Sequence, residues 1–116
     1  MSERVLTARA AALLARLPGP RTPAWPKGEP FALALAHGSM SVEIFAPRGS
    51  APPTPHAQDE LYLVHAGHAV LVVDGARHPA AHGEVLFVPA RMEHHFEEIS
   101  EDFAAWAVFW GPEGGE

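Results

Sequence analysis

The chain contains no cysteine, which excludes disulfides, thiolate metal sites, zinc fingers and iron–sulfur clusters. Positive charge is also scarce: eight Lys and Arg stand against fourteen Asp and Glu, a formal net charge of −6. Without a Lys/Arg cluster nothing is available to displace counterions from phosphates, so nucleic acid is not an expected partner. An anionic membrane surface is disfavoured for the same reason. No uninterrupted apolar run approaches the ~18 residues of a membrane span. Arg4, Arg9 and Arg16 break up the first seventeen residues, so the N-terminus does not read as a signal peptide. The expected compartment is the cytoplasm.

What is present suits one packed domain. The 116 residues are 47% hydrophobic and 19% charged, enough for a single core and too short for two. Residues 2–17 predict a helix, with Ser2 as cap and Leu6, Ala10, Leu13, Leu14 and Leu17 at helical spacing. Pro18-Gly19-Pro20 ends it. Pro23, Pro26 and Pro30 then extend residues 18–30 as a semi-rigid arm. Trp25 in that arm should be pinned against the body or a partner, because an exposed Trp is unusual.

From Phe31 onward the pattern is all strand. The expected strands are Phe31–Ala36, Met40–Ala46, Leu61–Ala66, His68–Val73, Ala76–Pro79, Val85–Val88, His94–Ile99 and Phe103–Trp110. Asp74-Gly75 is a two-residue hairpin signal that tolerates positive φ. Short strands at this spacing predict a sandwich or barrel over 31–110, with 1–30 as helix and arm and 111–116 as a flexible tail. Leu61–Val64, Val70–Val73 and Val85–Val88 are apolar on both faces. One face can fill the interior, the N-terminal helix can cover part of the other, and a homodimer is expected to cover the rest.

Two segments carry chemistry. Because a strand sends every second side chain to one face, His56, Gln58 and Glu60 should aim the same way, as neighbouring ligands of a metal ion would. Gly83-Glu84-Val85-Leu86-Phe87-Val88-Pro89-Ala90-Arg91-Met92-Glu93-His94 supplies a second histidine after a Gly-flanked strand and a Pro-marked turn. Two imidazoles and one carboxylate match the facial set of non-heme Fe(II), which leaves positions open for substrate or O2. Gln58 is a candidate fourth ligand through its amide oxygen, or else it orients a bound water or substrate. His95 has the opposite parity to His94 and should face away. His37, His65, His68, His78 and His82 read as turn or surface residues. Tyr62, Phe96, Glu98, Trp106, Val108 and Trp110 are compatible with an inward face, and Glu98 is the candidate proton acceptor.

In these two segments the chain resembles the cupin family. Glu60 and Gly67 have the family's six-residue gap, and His56 falls on the second histidine of its first motif, with Thr54 where the first would be. Gly83, Pro89 and His94 match the second motif, while Arg91 stands in for its second glycine and Glu98 for its asparagine. The resemblance covers residues 31–110. It implies an all-β single cupin barrel (a jelly roll) holding one divalent metal at His56, Glu60 and His94. Fe(II) is the favoured ion, with Zn, Mn and Ni as alternatives. The implied activities on a small organic molecule are dioxygenase-like chemistry, non-catalytic ligand sensing, or sugar isomerisation or epimerisation. A cupin whose polar residues only hydrogen-bond one another inside the barrel is the remaining alternative.

Overall fold

A computed structural model describes residues 5–49 and 55–116. In chain order its strands are β1 (Phe31–His37), β2 (Met40–Phe45), β3 (Asp59–Ala66), β4 (His68–Val73), β5 (Ala76–Ala81), β6 (Val85–Val88), β7 (His94–Glu97) and β8 (Ala104–Trp110). Each lies within two residues of the expected strand. They form two antiparallel sheets, ordered β1-β2-β8-β3-β6 and β5-β4-β7. The sheets bury Tyr62, Val64, Leu71, Ala80, Val88, Phe96 and Phe103 between them. This is the expected all-β barrel.

Local chemistry fixes the turns. Asp74 and Gly75 both take positive φ, 48° and 83°, the requirement of a two-residue turn that matches strand twist. Gly67 turns β3 into β4 at φ 71°. A Cβ there would lie 2.7 Å from the Phe103 backbone nitrogen, so no side chain fits.

The interior parity of β8 differs from the expectation. Tyr62 pairs with Ala107, and cross-strand partners share a face. Ala105, Ala107 and Phe109 therefore point inward, and Trp106, Val108 and Trp110 point out. Trp106 packs with Ile44 under the helix, and Trp110 meets Phe87 with ring centroids 6.1 Å apart. The two inward alanines keep one wall of the barrel thin, which leaves room for a cavity.

The N-terminal helix, α1, is present but short, spanning Ala10–Leu14. Val5 and Leu6 are largely exposed before it, and its N-cap Arg9 makes no side-chain capping bond. The expected cap Ser2 lies outside the described residues. So short a helix has little stability of its own. It persists because Ala10 and Leu13 bury against Ile44, Ala32 and Ala34 on the outer face of the larger sheet. No helix in the described residues is long and apolar enough to cross a membrane.

Two other segments depart from expectation. The proline arm is not extended; it folds back, with Gly19 N donating to Glu29 O at 2.7 Å and Glu29 N to Pro20 O at 3.0 Å. This sets Trp25 edge-on against Phe31, ring centroids 6.1 Å apart. The tail is not loose either. Gly111 N donates to Ser39 Oγ at 3.0 Å and Glu116 N to Asp59 Oδ2 at 3.1 Å, while Gly114 N donates to Ala57 O at 2.7 Å.

Candidate metal centre

The start of β3 builds the site by alternation. Glu60 points inward, with only 1% of its side chain exposed. Its neighbour Asp59 faces the other way and accepts hydrogen bonds from Ala90 N at 2.9 Å and Glu116 N at 3.1 Å. One carboxylate thus ties the Pro89–Met92 turn and the tail to the strand, and the next is left free for the interior.

The Pro89–Met92 turn then positions both histidines. Arg91 takes the left-handed conformation at φ 65°, where a glycine would be unstrained, and its N–H donates to His56 O at 2.6 Å. His94 opens β7 and is buried. Its Nδ1 donates to Met92 O at 2.9 Å, so in the neutral ring Nε2 is the nitrogen with the free lone pair. That is the usual way a backbone carbonyl orients a ligating imidazole.

The three side chains converge. His94 Nε2 lies 3.2 Å from Glu60 Oε1 and His56 Nε2 lies 3.5 Å from the same oxygen. All three ligand atoms lie within 4.8 Å of one another. Atoms each ~2.1 Å from a common ion sit roughly 3.0–3.4 Å apart, so this spacing suits one divalent cation. Glu60 Oε1 is the decisive atom: it is buried and has no hydrogen-bond partner among the described residues. A buried carboxylate oxygen left in that state is costly unless a cation completes it. His56, Glu60 and His94 are therefore a cluster able to hold a metal.

Titration behaviour follows burial and neighbours. Burial holds the His56 pKa below its ordinary value, outweighing the nearby Glu60 charge. Burial also works against protonated His94, but the Glu60 carboxylate and the Met92 carbonyl outweigh it and raise that pKa. Tyr62 places its hydroxyl 3.2 Å from His94 Nε2. Burial, then Glu60, pushes the phenol pKa well up, so Tyr62 remains a proton donor beside the cluster.

The cluster opens on a cavity of about 420 Å³ whose walls include Trp25, Phe31, Phe45, Phe96 and Phe109. Glu43 of β2 also borders it, and the sequence reading missed this residue. Burial first, then the charges of Glu60 and Glu29, raises its pKa to about 7. A signal was available: Ser41, Glu43 and Phe45 alternate on one strand face, so an acid falls at an inward position.

The other expected site residues divide between the cavity border and the surface. Gln58 borders the cavity, but its amide nitrogen donates to Ser39 O and Gly111 O, both at 2.9 Å. It thereby braces the β1–β2 turn against the end of β8. Glu98 lies outside the cavity. Its strand ends at Glu97, and Glu98 takes φ 51°, which breaks the alternation that would have turned it inward. Its carboxylate pairs instead with Arg77 on the surface. His95 bonds Glu97 Oε2 at 2.7 Å on the outer face, at the cavity rim. His37, His65, His68, His78 and His82 are all exposed, and Thr54 lies outside the described residues.

Comparison with known proteins agrees with this architecture. An uncharacterized protein of Streptomyces coelicolor is 40% identical over 81 residues, covering 68% of this chain and 77% of that one. A Cupin 2 conserved barrel domain protein of Salinispora arenicola superposes with a TM-score of 0.60 at 25% identity, over 70% of this chain and 74% of that one. A DMSP lyase of Ruegeria pomeroyi shares the fold at 20% identity and a TM-score of 0.61, over 72% of this chain and 48% of that one. Residues 41–110 match the Cupin domain family, so a two-motif, two-sheet barrel with its histidines and glutamate gathered at one point is a member of the cupin superfamily.

Proposed function

We propose that this protein holds a divalent metal ion, Fe(II) by preference, at His56, Glu60 and His94, and acts on a small organic molecule bound in the adjoining cavity. The observation that carries the proposal is Glu60 Oε1, buried between two imidazole nitrogens without a hydrogen-bond partner among the described residues. A metal in that position supplies a Lewis-acidic centre with coordination positions left open.

The chain's own residues do the rest. Met92 O holds the His94 ring in the ligating tautomer, and Tyr62 keeps a proton next to it. Aromatic walls exclude water and bind the apolar part of the ligand. Dioxygenase-like chemistry is the favoured reaction class, because a donor set of two histidines and one carboxylate suits non-heme iron. Gln58, with its amide nitrogen committed to the backbone, is proposed as a brace.

We also propose a homodimer, since Leu33, Val85 and Phe87 stand largely exposed on the larger sheet. Light scattering should give twice the chain mass at micromolar concentration. A monomer would refute it.

Metal analysis tests the site. Stoichiometric iron or zinc is expected in the purified protein. His56→Ala and His94→Ala should each lose it, and the same change at His65, His68 or His82 should not. Retention of stoichiometric metal by the double alanine variant would overturn the assignment.

A further inference from the structure

The cavity contains acid but no base of full charge. Among the described residues none of its lining side chains is Lys or Arg, whereas Glu43 and Glu60 both border it. Glu60 is committed to the metal cluster. Glu43 is not: among the described residues its carboxylate makes no side-chain hydrogen bond or ion pair. It projects from β2 opposite Ala107 of β8, a residue too small to cover it. Its β2 neighbour on the same face, Phe45, and Trp25 line the space beside it. Such a carboxylate, half-buried in an aromatic wall, is free to bond a ligand that displaces solvent from it.

We propose that Glu43 is a specificity-determining residue that selects an uncharged hydroxylic ligand with an apolar ring, and rejects anionic ligands such as phosphate esters and carboxylates. This rests on the metal reading above, since one ligand oxygen would face the ion while a second hydroxyl or N–H reaches Glu43. Two physical effects act together. An ionised Glu43 accepts a hydrogen bond from a neutral donor, a charge-assisted bond stronger than a neutral one. It also repels a second negative charge placed beside it on the apolar wall, away from the ion. The elevated pKa of Glu43 comes from burial first and from the charges of Glu60 and Glu29 second. Apolar lining supplies the binding energy, and the acid supplies the discrimination.

Catechol and protocatechuate, which is catechol carrying one carboxylate, form a matched pair of probes. Both would be titrated calorimetrically into Zn(II)-loaded protein at mildly alkaline pH, with zinc content measured on the same samples. Wild type should bind catechol at least about tenfold more tightly than protocatechuate, a ratio that one nearby like charge can supply. Glu43→Gln keeps the shape and removes the charge. It should retain full zinc, weaken catechol modestly and bring the two affinities to within about threefold of each other. Glu43→Lys should reverse the preference. Equal affinities in wild type, failure of catechol to bind the zinc-loaded protein, or an unchanged ratio in Glu43→Gln would overturn the proposal with the metal site still standing. Failure of the protein to take up zinc would instead overturn the metal reading, and this inference with it.

Discussion

The barrel interior is divided between two kinds of chemistry. Toward one end Val64, Leu71, Ala80 and Phe103 pack as an apolar core. Toward the other, Glu43, His56, Glu60 and His94 surround a cavity, and a carboxylate oxygen is buried without a partner among the described residues. Both halves are built from the same strands: β3 contributes Glu60 to one and Val64 to the other, four residues apart along one face. The packed half holds the barrel together, so the polar half can carry groups that cost stability. Mutations should therefore divide into those that unfold the protein and those that disarm it.

Leu71→Ala, in the packed half, should have the largest effect on stability. Leu71 is 1% exposed, and truncation of such a leucine costs about 2–5 kcal/mol. Urea unfolding should show this loss, while the folded fraction still takes up zinc at full stoichiometry. If zinc uptake fell in proportion to stability, the two halves would not be separable.

Variants of the polar half should behave in the opposite sense. His94→Ala should abolish zinc uptake and, with it, the stabilisation a bound ion provides, about 3 kcal/mol at a hundredfold excess over its Kd. Glu60→Met should also lose zinc. In metal-free protein, however, it should be more stable than wild type by about 1–3 kcal/mol, because it removes a buried charge that lacks a full set of partners. A metal-free Glu60→Met that is less stable than wild type would mean that Glu60 is already satisfied.

Glu43 gives a smaller effect that depends on pH. Its folded pKa, about 7, lies above the ordinary carboxylate value, so the folded state binds the proton more tightly than the unfolded chain. That contribution is fully present below about pH 4.5 and is lost as pH rises through 7. Metal-free wild type should accordingly lose about 1–3 kcal/mol on this account between acid and mildly alkaline pH. Glu43→Gln should flatten the slope. Parallel profiles for the two proteins would show that Glu43 is solvated in the cavity.

The sequence was most readable where structure is local. His56, Glu60 and the Asp74-Gly75 turn lie within short windows whose alternation or φ requirement is explicit. His94 was found through a motif whose turn, built on Pro89 and Arg91, is itself local. Long-range pairing hid the rest. Which face of β8 turns inward depends on Tyr62 lying opposite Ala107, and nothing within residues 104–110 reveals that register. The tail reads as loose because its partners, Ser39, Ala57 and Asp59, lie more than fifty residues away. Glu43 was missed because its strand reads as an ordinary half-buried one until the cavity beside it is known.

The smallest expected effect is at Glu98, the position where alternation alone pointed to a catalytic acid. Alternation requires a continuous strand, and β7 stops one residue earlier, at Glu97. With φ at 51°, Glu98 turns its carboxylate out to Arg77, where 65% of the side chain remains exposed. Exposed ion pairs of this kind contribute little, since solvent and salt screen them. Glu98→Gln should therefore leave the melting temperature, zinc content and catechol affinity at wild-type values, whereas Glu43→Gln alters ligand discrimination. A Glu98→Gln variant that kept its zinc but lost catechol binding would reverse the assignment. It would require the β7 terminus to rearrange toward the cavity when ligand binds, and the boundary between the two halves would then run through Arg77.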